Sequence, residues 1–114
     1  MERQSETLDK FFLRENILSN RNDTEESSFS FQLFENGIFS IEKLLALIDN
    51  ARSLKRSGLL DEDLIQTINW IISCTNMCFI SHHDQDDLYI IKNYTPSLDA
   101  KWKIWSKQLR SIIN

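Results

Sequence analysis

Residues 81–87, SHHDQDD, place both of the chain's histidines beside three carboxylates, directly after an apolar run that ends in MCFI. Imidazole and carboxylate together could hold a divalent metal or pass a proton. A metal needs three or four ligands converging at about 2.0–2.2 Å, and neighbouring residues on a helix point about 100° apart, so His82 and His83 do not share one ion. His83-Asp84 also matches the pair found in some divalent-metal hydrolases, but those need a distant His and the chain has none. A Ser, Thr or Cys nucleophile would need a base and an orienting group around it, and a His next to an Asp along the chain does not make a triad. There is no Gly-rich phosphate loop, no HExxH and no EF-hand loop, since DQDDLYIIKNY lacks the Gly and the closing Glu. The residues therefore point to no catalytic centre, no metal and no cofactor. A small metal-dependent enzyme built on His82 and His83 ranks last of three functional readings.

Cys74 and Cys78 stand four apart, which on a helix brings both thiols to one side. Two cysteines make no disulfide framework, and a redox pair takes two intervening residues where this chain has three. Reduced core residues are expected, which suits the cytoplasm.

The informative chemistry is in where the charge lies. Thirteen Lys and Arg against seventeen Asp and Glu leave a net charge of -4. Such a chain repels phosphate backbones and acidic membranes and attracts basic partners. Between Arg56 and Lys92 there is no Lys or Arg, yet there are six acids: Asp61, Glu62, Asp63, Asp84, Asp86 and Asp87. The first three suit the start of a helix, where carboxylates satisfy free N–H groups. The last three have no such duty and are the first candidates for contacting a partner, with Tyr89 and Tyr94 flanking them.

These groups need elements to hold them. Only two Gly and one Pro, with apolar residues at helical spacing, predict an all-α chain: one domain over residues 1–114, a compact bundle of about four helices. The first helix is expected over about 6–18, capped by Ser5 or Thr7, with Leu8, Phe11, Phe12 and Leu18 on its apolar side. SNRNDTEESS has no periodicity, so 19–30 is read as a long flexible polar connector between the first and second helices. Phe29, Phe31 and Leu33 alternate with polar residues and suggest an extended segment laid over the core.

Ser40 should cap a second helix running to about residue 57, buried through Ile41, Leu44, Leu45 and Ile48 and closed by Gly58. Asp61 should cap a third, whose broad apolar face is Leu64, Ile65, Ile68, Ile71, Ile72, Cys78 and Phe79. Trp70 and Met77 form a narrower second stripe, facing other helices or offering a second-choice partner patch. Residues 88–94, LYIIKNY, are too short to assign. Thr95 and Pro96 open the last helix, where Leu98, Trp102, Trp105, Leu109 and Ile112 share one arc and Lys103, Lys107 and Arg110 project opposite. The tryptophans thus point inward and cannot stack on bases, and no direct nucleic-acid binding is expected. MERQSETLDK lacks an apolar h-region, and 68–80 is broken by Asn69, Ser73, Thr75 and Asn76, so neither a signal peptide nor a membrane span is expected. Antiparallel packing would bring Glu35, Glu42 and Asp99 toward the HHDQDD end and make that pole acidic.

In general character the chain resembles the small cytoplasmic immunity proteins that bacteria make against colicins and contact-dependent growth inhibition toxins. The likeness lies in the short acidic helical chain, the DQDDLYIIKNY connection and the absence of a catalytic constellation. It implies neutralisation of a basic toxin, a nuclease first, by covering its active site with carboxylates in place of substrate phosphates. These families share no common motif, so no residue-level role transfers. The leading expectation is a non-enzymatic inhibitor using Asp84, Asp86 and Asp87, with Tyr89, Glu42 and Asp99 in support. The second is an oligomeric helical adaptor or subunit associating through Trp70 and Met77; the sequence leaves the oligomeric state open.

Overall fold

Capping chemistry divides the chain. The computed structural model describes residues 2–114, with side chains from Asp9 onward. Among these residues it is all-helical: α1 (Glu2–Leu18), a short 3-10 turn (Ser19–Arg21), α2 (Phe29–Asn36), α3 (Ile41–Arg56), α4 (Glu62–His83) and α5 (Pro96–Ile113). Ser28, Ser40 and Asp61 each accept a hydrogen bond from the backbone N–H three residues on, at 3.0, 3.3 and 3.0 Å, and so start α2, α3 and α4. Gly37 and Gly58, with φ of 67° and 71°, turn the chain out of α2 and α3 in the left-handed region. Thr95 and Pro96 open α5, with the Thr95 hydroxyl turned to Ser97 Oγ instead of capping.

Residues 29–33 correct the expected extended segment: they are helix. The alternation Phe29, Phe31, Leu33 also contains an i, i+4 pair, and it is Phe29 and Leu33 that are buried while Phe31 is half-exposed. A serine cap before them and a left-handed glycine after them decide for helix, and this adds a fifth helix to the four expected. Residues 19–28 also differ from a loose connector. Asn20 is buried, its Oδ1 accepts from the Ser30 N–H and hydroxyl at 3.0 and 2.8 Å, and its Nδ2 donates to the Asn16 and Ile17 carbonyls. Asn22 and Ser28 close local turns around Thr24 and Phe31.

On α1 the apolar side is shifted from the expected one. Ile17 is buried and Leu13 and Leu18 pack against the core, whereas Phe11 and Phe12 are 54% and 63% exposed. Lys10, Arg14 and Asn16 instead reach across to neighbouring elements, bonding Ser53, Asp61 and Asn50. Ser5 and Thr7 fall within the helix, and the Leu8 side chain lies outside the described residues. On α3, Leu44 and Ile48 are buried with Leu47, Ala51 and Leu54, while Ile41 and Leu45 are exposed. One buried stripe suffices because α3 is covered on one side only.

Helix α4 is long and apolar enough by composition to cross a membrane, but its apolar face is spent on the other helices. Leu64, Ile68, Ile71, Ile72, Cys78 and Phe79 are buried, each large side chain stabilising the fold by about 1.5–3 kcal/mol. The second stripe divides: Trp70 packs edge-on to Phe34 at 5.6 Å with Arg21 over its ring, and Met77 is 65% exposed. On α5, Trp102 is buried and stacks on Phe79, and its Nε1 donates to Asn76 at 2.8 Å; Phe39 sits at the centre of these rings.

The cap on α4 also carries charge. The Leu64 N–H, with Arg14 at 3.0 Å, holds the Asp61 carboxyl below its ordinary value of 3.8. A depressed carboxyl stabilises the fold fully above that value, and the contribution is lost as pH falls through the lower folded pKa. Asp61→Ala should therefore lower stability at pH 7 by about 1 kcal/mol. Asp61→Asn, which retains the capping oxygen, should lose less and should flatten the acid limb of the melting temperature against pH.

Candidate partner-binding surface

One end of the molecule gathers the last turn of α4 and the first turns of α3 and α5. The Phe39 N–H donates to Asn93 Oδ1 and Asn93 Nδ2 donates back to the Phe39 carbonyl, both at 2.9 Å, which ties the entry of α3 to the entry of α5. Lys92 N–H donates to the Gly37 carbonyl at 2.7 Å. Ile91 N–H donates to His82 Nδ1 at 2.9 Å, so His82 carries its proton on Nε2 in this arrangement. At the other end Lys55 Nζ reaches the Ser111 carbonyl, and Asp61 and Asp63 lie by Arg14. Helices α3 and α5 therefore run parallel and α4 runs against both.

The two histidines do different work. Their rings neighbour each other at 5.1 Å, and Tyr94 meets both, at 4.3 Å from His82 and 5.3 Å from His83. His83 Nε2 lies 3.1 Å from Asp99 Oδ2, an ion pair whenever the ring is protonated. The Tyr94 hydroxyl donates to the same carboxylate, which raises the phenol above its ordinary value. Among the described residues no three His, Cys, Asp or Glu side chains converge as a metal-ligand set. The cluster is a bracket holding the α4–α5 connection to α5.

On this bracket hangs the acidic loop. Asp84 ends α4, and its Oδ1 accepts from the Asp86 N–H at 2.9 Å; Asp87 Oδ1 accepts from the Tyr89 N–H at 2.9 Å. That bond, together with the Ser81 side chain, holds the Asp87 carboxyl below its ordinary value. Asp84, Asp86 and Asp87 are all exposed, and among the described residues none is in an ion pair. Asp99 differs, half-buried with its oxygens given to His83 and Tyr94. Glu42 is exposed in the first turn of α3, where it also suits the helix dipole, and lines a polar cleft of about 290 Å³ with Asn16, Asn20, Ser28 and Lys43.

Tyr89 is turned inward: its hydroxyl donates to the Leu33 carbonyl at 2.6 Å, and burial pushes the phenol well up, with Cys78 beside it adding to the rise. Both thiols are free, and burial raises them too. Tyr89 thus fastens the loop to α2 from below. Sequence reasoning passed over its neighbour. Along 88–91, Leu88 is 99% exposed, Tyr89 half-buried, Ile90 54% exposed and Ile91 2%. Leu88, Tyr89, Ile90 and Ile91 are all apolar, so no alternation in the sequence separates the exposed Leu88 and Ile90 from the inward Tyr89 and Ile91. On α4 itself, Met77 and Ile80 are exposed seven and four residues before Asp84, on the same side of the helix. Compared with protein-family models, curated proteins and solved structures, the chain matches none, so the function is argued from this surface alone.

Proposed function

We propose that the chain is a non-enzymatic inhibitory binding protein of the immunity or antitoxin kind. It neutralises a basic protein toxin, a nuclease domain by preference, by seating Asp84, Asp86 and Asp87 against the Lys and Arg that would otherwise hold substrate phosphates. The observation that carries this reading is the exposure of three carboxylates, free of ion pairs among the described residues, on a loop whose backbone is fastened at both ends. Carboxylates in water contribute most through long-range attraction: they raise the encounter rate and reject acidic partners. A fastened loop adds to this because little conformational freedom is lost on binding. Glu42 and Asp99 extend the negative field, and Tyr89 buttresses the loop. The chain would act in the cytoplasm, where Cys74 and Cys78 remain thiols.

The test is protection. Cells expressing the basic C-terminal domain of a secreted toxin encoded beside this chain's gene should survive when the chain is co-expressed. The variant Asp84→Asn, Asp86→Asn, Asp87→Asn should protect poorly. Asn keeps the oxygens that accept the loop N–H bonds, so folding stability should stay within about 1 kcal/mol of the parent. Full protection by that variant, or no toxin that the parent protects against, would refute neutralisation through this surface.

A further inference from the structure

A leucine side chain is rarely left wholly in water when the segment carrying it is otherwise anchored. Leu88 is 99% exposed, although the residues on either side are fixed: Tyr89 is bonded through its N–H to Asp87 and through its hydroxyl to Leu33, and Ile91 is buried and bonded to His82. Exposure alternates along 88–91, so Ile90, 54% exposed, lies in solvent with Leu88 while Tyr89 and Ile91 turn inward. The backbone therefore holds two apolar side chains away from the core. Asp84, Asp86 and Asp87 lie immediately before them, and the nearest cation along the chain is Lys92. Apolar area flanked by a cluster of carboxylates is the complement of an apolar recess bordered by basic residues.

We propose that Leu88, supported by Ile90, is the apolar anchor of the docking surface, and that its occupant is a protein presenting an apolar recess bordered by Lys or Arg. The inference rests on the neutralisation reading for the partner's charge and goes further by dividing the labour within the surface. The carboxylates set how fast the partner arrives and Leu88 sets how long it stays. Being held ready, the side chain gives up little rotational freedom of the backbone when it is buried. Its removal costs the free protein nothing, because it touches nothing there.

The ¹⁵N-labelled full chain, titrated with two synthetic peptides of equal length and charge, provides the test. One peptide alternates Lys with Leu, the other Lys with Ser. The Lys/Leu peptide should bind about tenfold more tightly, as expected from part of a leucine's burial, and should shift the amides of residues 84–92. Leu88→Ser should abolish that tenfold preference with an unchanged melting temperature, while replacing Asp84, Asp86 and Asp87 by Asn should weaken both peptides alike at low salt.

Equal affinity for the two peptides, shifts centred elsewhere, or a Lys/Leu preference that survives Leu88→Ser would overturn the proposal. So would a stable dimer in sedimentation that Leu88→Ser dissociates, since a second copy of the chain would then be the occupant. A chain that prefers the Lys/Leu peptide through Leu88 yet protects against no toxin would keep this inference and lose the neutralisation reading. Protection that is indifferent to Leu88→Ser would do the reverse.

Discussion

Replacing Gly37 by alanine should lower folding stability by about 3 kcal/mol, against about 1 kcal/mol for the same change at Gly58. Both glycines have positive φ, 67° and 71°, so both substitutions carry the left-handed penalty. Only at Gly37 is there an obstacle as well: a Cβ would lie 2.6 Å from the Ile90 carbonyl oxygen, whereas at Gly58 it would meet nothing within 4 Å. The obstacle is backbone and cannot rotate away. Residues 90–92 are held by the Ile91 bond to His82 and the Lys92 bond to Gly37 itself, so the added methyl must push the acidic loop's trailing end off α2. The difference between the two variants in chemical denaturation isolates this contact from the left-handed penalty. Equal losses would mean that the loop is not packed on the turn. Because Ile90 is displaced together with its neighbours, Gly37→Ala should also weaken partner binding, and Gly58→Ala should not.

The second large effect is at Asn20. Truncation to alanine leaves the Ser30 N–H and hydroxyl without an acceptor at a position with no exposure, and frees the Asn16 and Ile17 carbonyls of their extra donor. Each buried group left unpaired costs about 1–3 kcal/mol, so Asn20→Ala should cost about 3 kcal/mol overall. For a domain of this size the melting temperature should fall by roughly 12 °C, taking about 4 °C per kcal/mol. A double-mutant cycle with Ser30→Ala gives the sharper measurement. Once the Ser30 hydroxyl is gone, Asn20→Ala should lose less, with a coupling energy of about 1 kcal/mol. No coupling would show that the Ser30 hydroxyl adds nothing to what Asn20 holds through the Ser30 N–H and the α1 carbonyls. This side chain joins the end of α1 to the start of α2, the stretch expected from the sequence to be a loose connector.

How much of this was legible in the residues differs by level. Local signals are written within a few residues of one another, so Ser40, Asp61, Gly58 and the Thr95-Pro96 pair could be matched to helix ends directly. Helices with strong periodicity, α4 and α5, could likewise be assigned a face. Where two periodicities coincide, as at Phe29, Phe31 and Leu33, the pattern alone does not choose between strand and helix, and the choice falls to Ser28 and Gly37. Phe11, Phe12, Leu13, Ile17 and Leu18 of α1 are all apolar, so spacing alone did not choose Leu13 and Ile17 over Phe11 and Phe12; the polar bonds of Lys10, Arg14 and Asn16 to α3 and Asp61 accompany the face the helix adopts.

Long-range pairings were not legible at all. Nothing near His82 in the chain announces that Ile91 will bond to it, nor does anything near Gly37 announce Ile90. The same distinction runs through the candidate surface. The Asp84, Asp86, Asp87 cluster is visible as charge density, but that Asp99 is engaged with His83 and Tyr94, and Tyr89 with Leu33, follows only from how α2, α4 and α5 meet. Leu88 belongs with the second group, since LYII is apolar throughout and only the folded chain separates its exposed residues from its buried ones.

The most direct measurement is the association rate constant with the encoded basic toxin domain, followed from about 0.02 M to about 0.5 M salt for the parent and for the triple Asp→Asn variant. Electrostatic docking through the α4–α5 connection predicts a parent rate that falls at least about tenfold over that range, and a variant that is slow at low salt and nearly indifferent to it. Equal rates and equal salt slopes for the two proteins would contradict it.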